Sequence, residues 1–321
     1  MKPEIYLKSK DTTDPAYGSL PTERSVEDLL QRGMVNLDKP RGPTSHQVVA
    51  WLRDVLKVGK AGHGGTLDPK VSGVLPVALE RAVRVVRYLQ KMDKSYICVM
   101  TLHGDVEDDR LRDVVSRFRG RILQTPPVKS AVKREARVRL VSKIEILERD
   151  GRDVLLDITC EAGTYIRKLC WDIGEALLVG ANMSELRRTR SGAFLEDDSC
   201  SLQDLVDAMY YLEHDEDETD IRRLVRPVED FIQGMAKIWI RDTAVEALCN
   251  GASLALPGIV KCESNVEEGR KVAILTLKDE LVAIGDSRLS AKQIFEKDTG
   301  LAADPETVVM ARGTYPRYWK S

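Results

Sequence analysis

No stretch of this chain approaches the roughly 20 consecutive apolar residues that a membrane-spanning helix requires. Its first residues, Met1-Lys2-Pro3-Glu4, lack the apolar centre of a secretory signal, so a cytoplasmic protein is the expectation. Cysteine is sparse and dispersed. The six residues (Cys98, Cys160, Cys170, Cys200, Cys249 and Cys262) form no Cys-x-x-Cys pair, which argues against a disulfide frame or a zinc site and predicts buried free thiols. Four widely spaced histidines give no basis for a protein-bound metal. Internal repeats and low-complexity tracts are also absent. Nor does one sign of charge dominate: the net charge is −2, which alone argues against a nucleic-acid binder.

The distribution of charge says otherwise. Arg110–Arg152 holds 13 Lys or Arg against 5 Asp or Glu, whereas Glu196–Asp220 holds 11 acids and no Lys or Arg. The first stretch is either a solvated face or a footprint for a polyanion; the second reads as surface solvation or a contact for a basic partner protein. At 321 residues the chain is long enough for two domains. Residues 1–33, with Pro3, Pro15 and Pro21, read as an extended arm leading into a short helix near Val26–Gln31. Met34–Leu37 reads as a strand, and Asp38-Lys39-Pro40-Arg41-Gly42-Pro43 as a loop. Thr44 or Ser45 can cap the next helix, whose Val48, Val49, Leu52, Val55 and Leu56 keep helical spacing. Val74–Gln90 reads as strand then helix, and Tyr96–His103 and Val154–Cys160 as strands. A helix over Tyr165–Leu178 follows, with Thr164 as its cap and Arg167 in its first turn, off the apolar stripe. Leu186-Arg187-Arg188-Thr189-Arg190-Ser191-Gly192 reads as a dense basic turn. Beyond a boundary near Gln233–Ala236, short alternating segments separated by turns predict a small β-barrel.

The segment with most chemical content is Gly62-His63-Gly64-Gly65-Thr66-Leu67-Asp68-Pro69. It sets one carboxylate at the tip of a glycine-rich loop between two helix-like segments. Glycines let a backbone approach a flat or bulky ligand closely, and Pro69 biases Asp68 away from the α region. A lone aspartate in a Gly/Pro turn is usually a turn former. The other motifs change its weight.

Asn36-Leu37-Asp38-Lys39-Pro40-Arg41-Gly42-Pro43-Thr44-Ser45-His46, the Asp68 loop, Lys94 with Tyr96, Gly163-Thr164-Tyr165-Ile166-Arg167 and Leu186-Arg187-Arg188 occur in the order seen in TruB-type pseudouridine synthases. The chain resembles that family from Met34 to about Gly192. Gly251-Ala252, Leu256-Pro257-Gly258-Ile259 and Val282-Ala283-Ile284-Gly285 resemble a PUA RNA-binding domain. Within the family the chain is most similar to the archaeal relatives of dyskerin, the catalytic subunit of H/ACA guide-RNA particles. Three features carry that likeness. Gln124–Arg134 passes into the next strand without the insertion with which the stand-alone tRNA enzyme grips its substrate. The arm has Tyr17-Gly18 and Pro21. The sequence stops at Trp319-Lys320-Ser321 without a lysine-rich tail.

The resemblance implies an α+β fold. Residues 1–33 would form an arm packing with the PUA domain, and 34–235 a catalytic domain with a mixed, largely antiparallel sheet flanked by helices. Residues 236–321 would form a small β-barrel PUA domain. Conversion of uridine to pseudouridine breaks a C–N glycosidic bond and remakes it as C–C on the same base. It involves no net redox change or phosphoryl transfer, so no cofactor is expected. It needs a carboxylate to attack the sugar or base, or to stabilise charge at the anomeric carbon; the resemblance assigns this to Asp68. Arg167 is the implied partner, since a neighbouring arginine favours and orients an ionised carboxylate. The nucleotide must be flipped out at a cost of roughly a few kcal/mol. Tyr96 is the implied stacking face and a candidate for late proton removal. His63 would stand near the vacated base, with Gly64, Gly65 and Thr66 lining the nucleotide's path. Lys39 would shape the first loop. Lys133, Arg134, Arg187 and Arg188 are the implied phosphate contacts, and Tyr165 and Leu186 complete the substrate-facing set. The implied partners are an H/ACA guide RNA, substrate rRNA and tRNA, and small accessory proteins including a kink-turn-binding protein. Two alternatives stay open: a guide-independent enzyme acting on the T-loop of tRNA, and a non-catalytic RNA-binding scaffold.

Overall fold

Alternating apolar residues build a sheet with one face buried along most of its width and both faces covered at its β2 and β4 strands. The protein is described here by a computed structural model covering residues 3–126 and 135–317. The strands are β1 (Ile5–Leu7), β2 (Gly33–Lys39), β3 (Ala61–His63), β4 (Ser72–Leu79), β5 (Lys94–Leu102), β6 (Gly120–Gln124), β7 (Arg137–Asp150), β8 (Asp153–Cys160), β9 (Ala181–Ser191), β10 (Phe194–Leu195) and β11 (Val225–Pro227). They continue with β12 (Ala236–Ile240), β13 (Leu254–Ala255), β14 (Ile259–Glu263), β15 (Lys271–Leu275), β16 (Leu281–Ser287) and β17 (Leu301–Val308). The helices are α1 (Val26–Arg32), α2 (Ser45–Val55), α3 (Val86–Leu89), α4 (Asp108–Ser116), α5 (Ile166–Ala176), α6 (Leu202–His214), α7 (Thr219–Leu224), α8 (Asp242–Cys249) and α9 (Ala291–Glu296).

Among the described residues the first sheet runs β11-β2-β4-β9-β5-β8-β7-β6, with β3 on β4 and β10 on β9. Only β4 and β9 pair in parallel within it. The fold is α+β with a mixed, largely antiparallel sheet. Strand periodicity sorts its core. Val35, Leu37, Leu75 and Val77 face α1, α2, α6 and α7, while Met34, Val74 and Ala78 point to the opposite side. Farther along, Cys98, Met100, Leu156 and Ile158 pack under α4 and α5. Thr44 caps α2 in a capping box with Gln47.

The second sheet runs β1-β14-β12-β15-β16-β17-β13. The arm contributes β1, antiparallel to β14 with Tyr6 opposite Cys262. A shared apolar seam joins the sheets: Met34 and Val74 meet Trp239, Ala273, Leu281 and Ile284. Polar contacts flank it. Arg24 makes a fork of 2.7 and 2.6 Å to Glu229. Residues 80–85 form a 3₁₀ helix continuing into α3, and such a turn nearly eclipses side chains three apart. Arg81 therefore reaches the Val309 carbonyl at 2.8 Å, Arg84 the Val308 carbonyl at 2.7 Å, and Arg87 the Glu306 carboxylate at 3.0 Å. All six cysteines are free and buried. Among the described residues, no helix is long and apolar enough to cross a membrane.

Three local readings are corrected. The segments flanking the Asp68 loop are the strands β3 and β4, not helices. Residues 186–191 are not a basic turn but the end of strand β9, in the interior of the sheet. The cap of α5 is Tyr165 rather than Thr164, whose hydroxyl instead donates to the Glu161 carbonyl at 2.9 Å.

Candidate active site

The loop carrying Asp68 is fixed from below on both sides of the carboxylate. Gly64 N donates to the Pro76 carbonyl at 2.8 Å, and a side chain at Gly64 would meet Leu89 within 2.8 Å. Ser45 Oγ accepts from Leu67 N at 2.9 Å and lies 3.0 Å from its carbonyl. Gly42 N donates to the Pro69 carbonyl at 2.8 Å, and Val71 N to the Asp68 carbonyl at 2.9 Å. Lys39 is fully buried, with Nζ 2.8 Å from the carbonyls of both Pro40 and Val71. Burial lowers its pKa, an effect that Asp68 opposes. Lys39 is therefore a strut of the loop, out of reach of a substrate. The tip residues Thr66, Asp68, Pro69 and Lys70 face solvent. This arrangement fixes a carboxylate's backbone while leaving its oxygens available.

Arg167 comes to the loop from the start of α5. That start is fixed by buried Gln124, whose Oε1 accepts from Tyr165 N at 3.0 Å and whose Nε2 donates to the Tyr165 carbonyl at 3.2 Å. Gly163 turns the chain there with φ of +81°. From this platform Arg167 Nη2 pairs with Asp68 Oδ2, joining residues 99 apart in sequence. The pair is accessible, with side chains 56% and 54% exposed. Tyr165 lines an adjacent cleft of about 90 Å³ with Gln124, Arg137, Arg139 and Gly163.

Arg188 lies under the loop and is 1% exposed. Its Nε donates to the Val74 carbonyl at 2.7 Å and its Nη2 to the Gly65 carbonyl at 3.1 Å. Tyr96, opposite Arg188 across β5 and β9, packs on the core with its hydroxyl in hydrogen-bonding reach of that guanidinium. Burial raises the Tyr96 pKa, and Arg188 partly counters the shift. Lys94 points into the same interior and donates to the Leu89 and Gln90 carbonyls at 3.1 and 3.0 Å. Burial, assisted by Arg188, brings its pKa down to about 8.

The expected phosphate contacts fare differently. Arg188 is enclosed and cannot reach a phosphate; it positions the loop and Tyr96. Arg187 makes a fork of 3.1 and 2.9 Å to Asp38 and also pairs with Glu196, so its donors are already engaged. Lys133 and Arg134 lie outside the described residues. Leu186 is half-buried against the core. His63 meets His46 edge to face, ring centres 5.1 Å apart. Burial, then the neighbouring His46 and Arg188, lower its pKa to about 4, and its buried Nδ1 has no hydrogen-bond partner. Sequence reasoning missed Gln124, Arg188's interior role and Ser45's role as loop anchor. The one available signal was that Thr44 and Ser45 cannot both be the cap of α2. Among the described residues no cluster of His, Cys, Asp and Glu could hold a metal.

Comparison with known proteins bears on this geometry. Residues 53–166 match the N-terminal domain of TruB family pseudouridylate synthases, and 167–233 the C-terminal domain of tRNA pseudouridylate synthase B. Residues 236–309 match the PUA domain and 2–49 the DKCLD (NUC011) domain. The chain is 51% identical over 316 residues to a probable tRNA pseudouridine synthase B of Methanopyrus kandleri, covering 98% of this chain and 94% of that one. It is 53% identical over 321 residues to a protein of the same description from Pyrococcus abyssi, covering 99% and 96%. Among solved structures, a chain of a Cbf5-Nop10-Gar1 complex superposes with a TM-score of 0.92 at 51% identity, covering 99% of this chain and 97% of that one. A chain of an H/ACA RNP bound to a substrate RNA containing 2′-deoxyuridine gives 0.92 at 48% identity, covering 99% and 98%.

Proposed function

The chain belongs to the TruB family of pseudouridine synthases, and from that premise we propose that it isomerises chosen uridines of rRNA and tRNA as the catalytic subunit of a guide-RNA particle, with Asp68 as the reacting carboxylate. The observation that carries the reading is the Asp68–Arg167 pair, assembled from distant segments on a braced loop and left open to solvent. Isomerisation requires the C1′–N1 bond to break, the uracil to turn, and a C1′–C5 bond to form. The proton on C5 leaves and N1 gains one, so the atoms balance without a co-reactant. Asp68 attacks the sugar or base, or stabilises the positive anomeric carbon. Arg167 fixes the carboxylate's direction through a charge-assisted hydrogen bond from its Nη2 to Oδ2. Tyr96 receives the flipped base, offsetting a cost of roughly a few kcal/mol.

Guided action in a particle with accessory proteins is supported by the likeness over nearly the whole chain to chains solved with Nop10, Gar1 and RNA; a kink-turn-binding protein among those partners is part of the same proposal. A second reading, guide-independent action on tRNA, is favoured by the description shared by the curated relatives. Asp68→Asn tests the common core of both. The amide keeps the size but cannot act as an anionic nucleophile. Isomerisation should vanish while RNA affinity stays within about threefold, roughly 0.7 kcal/mol. Retained turnover would sink the assignment. Mapping pseudouridines in RNA treated with and without guide and accessory proteins separates the two readings.

A further inference from the structure

α5 buries Ile166, Leu169, Cys170 and Ile173 against the sheet, which turns the opposite side of the helix to solvent. Residues four apart share a helix face. Trp171 therefore stands on the same side as Arg167, one turn or about 5.4 Å farther along the axis. An indole is a side chain from whose burial a fold gains much, yet Trp171 is 49% exposed. The ammonium of Lys168 sits 3.6 Å from the centre of its six- and five-membered ring system, and Asp172 in turn holds Lys168 by an ion pair. The result is an exposed aromatic plate one helical turn from Arg167, with a cation over one face.

We infer that Trp171 is a stacking platform for an unpaired RNA base one or two nucleotides from the target uridine, with Lys168 holding the plate from one face. The inference rests on the reading that the target uridine reacts at Asp68. Flipping one nucleotide uncovers the face of its neighbour, which then lacks a stacking partner. An aromatic side chain restores about 1–3 kcal/mol per base without reading sequence. Stacked nucleotides rise about 3.4 Å each along a strand, so one helical turn beyond Arg167 matches an offset of one to two nucleotides. Leu178, 84% exposed just beyond the C-terminus of α5, suits a protein contact instead, and that rival is an outcome of the test.

The test is a cycle with the full chain and an RNA carrying the target uridine in an unpaired segment. Its counterparts bear an abasic site at each flanking position in turn. Trp171→Ala should weaken binding about 5- to 150-fold. One abasic position should weaken binding by the wild-type protein by the same factor, and the two changes together should cost no more than either alone. Trp171→Phe should recover most of the affinity, and unchanged thermal unfolding confirms that the variants fold. Equal losses from every abasic site in wild type and Trp171→Ala would overturn the inference. So would unchanged RNA binding by Trp171→Ala, including the case where only assembly with proteins suffers. Turnover by Asp68→Asn would instead mark failure of the underlying active-site reading.

Discussion

Arg167→Met separates catalytic from structural use of the ion pair. Both side chains are more than half exposed, so the pair should contribute only about 0–1 kcal/mol to folding. For a domain of this size that is a fall in Tm of at most about 4 °C. If Arg167 orients the reacting carboxylate, the rate should suffer far more. Losing one preorganised electrostatic group typically costs about 10²–10³ in kcat, or ~2.7–4 kcal/mol. The two expectations differ several-fold, so one variant decides between them. Formation of the C1′–C5 bond expels the hydrogen on C5. Single-turnover tritium release from RNA labelled at uridine C5 therefore reads the chemistry, and calorimetry reads stability. Arg167→Lys should fall between, because it keeps the charge and loses the planar fork. A Met variant with a rate within threefold of wild type would refute the orienting role. A stability loss above about 2 kcal/mol would show that the exposed-pair reasoning is wrong.

Two further outcomes follow from the site's construction. Gly73, just after the loop, has φ of +103°, and a Cβ there would lie 2.2 Å from the Arg188 carbonyl oxygen where β4 and β9 pair in parallel. Gly73→Ala should therefore cost more than about 2 kcal/mol in urea unfolding, and an unchanged midpoint would contradict that. His63 has a folded pKa near 4 against 6.5 for the free side chain, so the unfolded chain binds its proton first. Its contribution to stability is lost as pH falls from 6.5 through 4 and is flat above that window. The His63 imidazole NMR signals should not titrate between pH 8 and 5; an inflection near 6.5 would be inconsistent with a neutral, buried ring.

The sequence was most legible where one strong local rule applied. The helix after Pro43 carried a cap and helical apolar spacing, and α2 begins there with Thr44 as its cap. It was least legible where tertiary bonds override local chemistry. β3 is only Ala61, Gly62 and His63, too short and too glycine-rich to show period-two alternation. β9 ends in Leu-Arg-Arg-Thr-Arg-Ser, which reads as solvated turn, yet Arg188 is buried because two carbonyls and a tyrosine hydroxyl await it. The motif residues Asp68, Arg167 and Tyr96 could be found in sequence. The bracing could not, because Ser45, Lys39 and Gln124 act through backbone carbonyls and amides that no side-chain pattern announces.

That bracing also redistributes positive charge. Several cations that look available for RNA in the sequence are committed within the fold. Arg187 serves Asp38 and Glu196, Arg188 and Lys39 serve interior carbonyls, and Arg139 pairs with Glu161 at 3.2 Å. Affinity for a polyanion grows with the number of phosphates neutralised, each adding about 0.9 to the salt slope. A guanidinium already paired to a carboxylate adds little. The described surface around Asp68 is therefore built to orient a nucleotide more than to capture a strand. Yet extracting a base costs roughly a few kcal/mol that binding must supply. On the proposed reading, whatever stacking on nearby aromatic side chains does not supply has to come from remote contacts, in the PUA domain or on other macromolecules, and be converted at Asp68 into position. This economy of local charge is the physical ground for preferring a guided particle over a chain that grips its RNA alone.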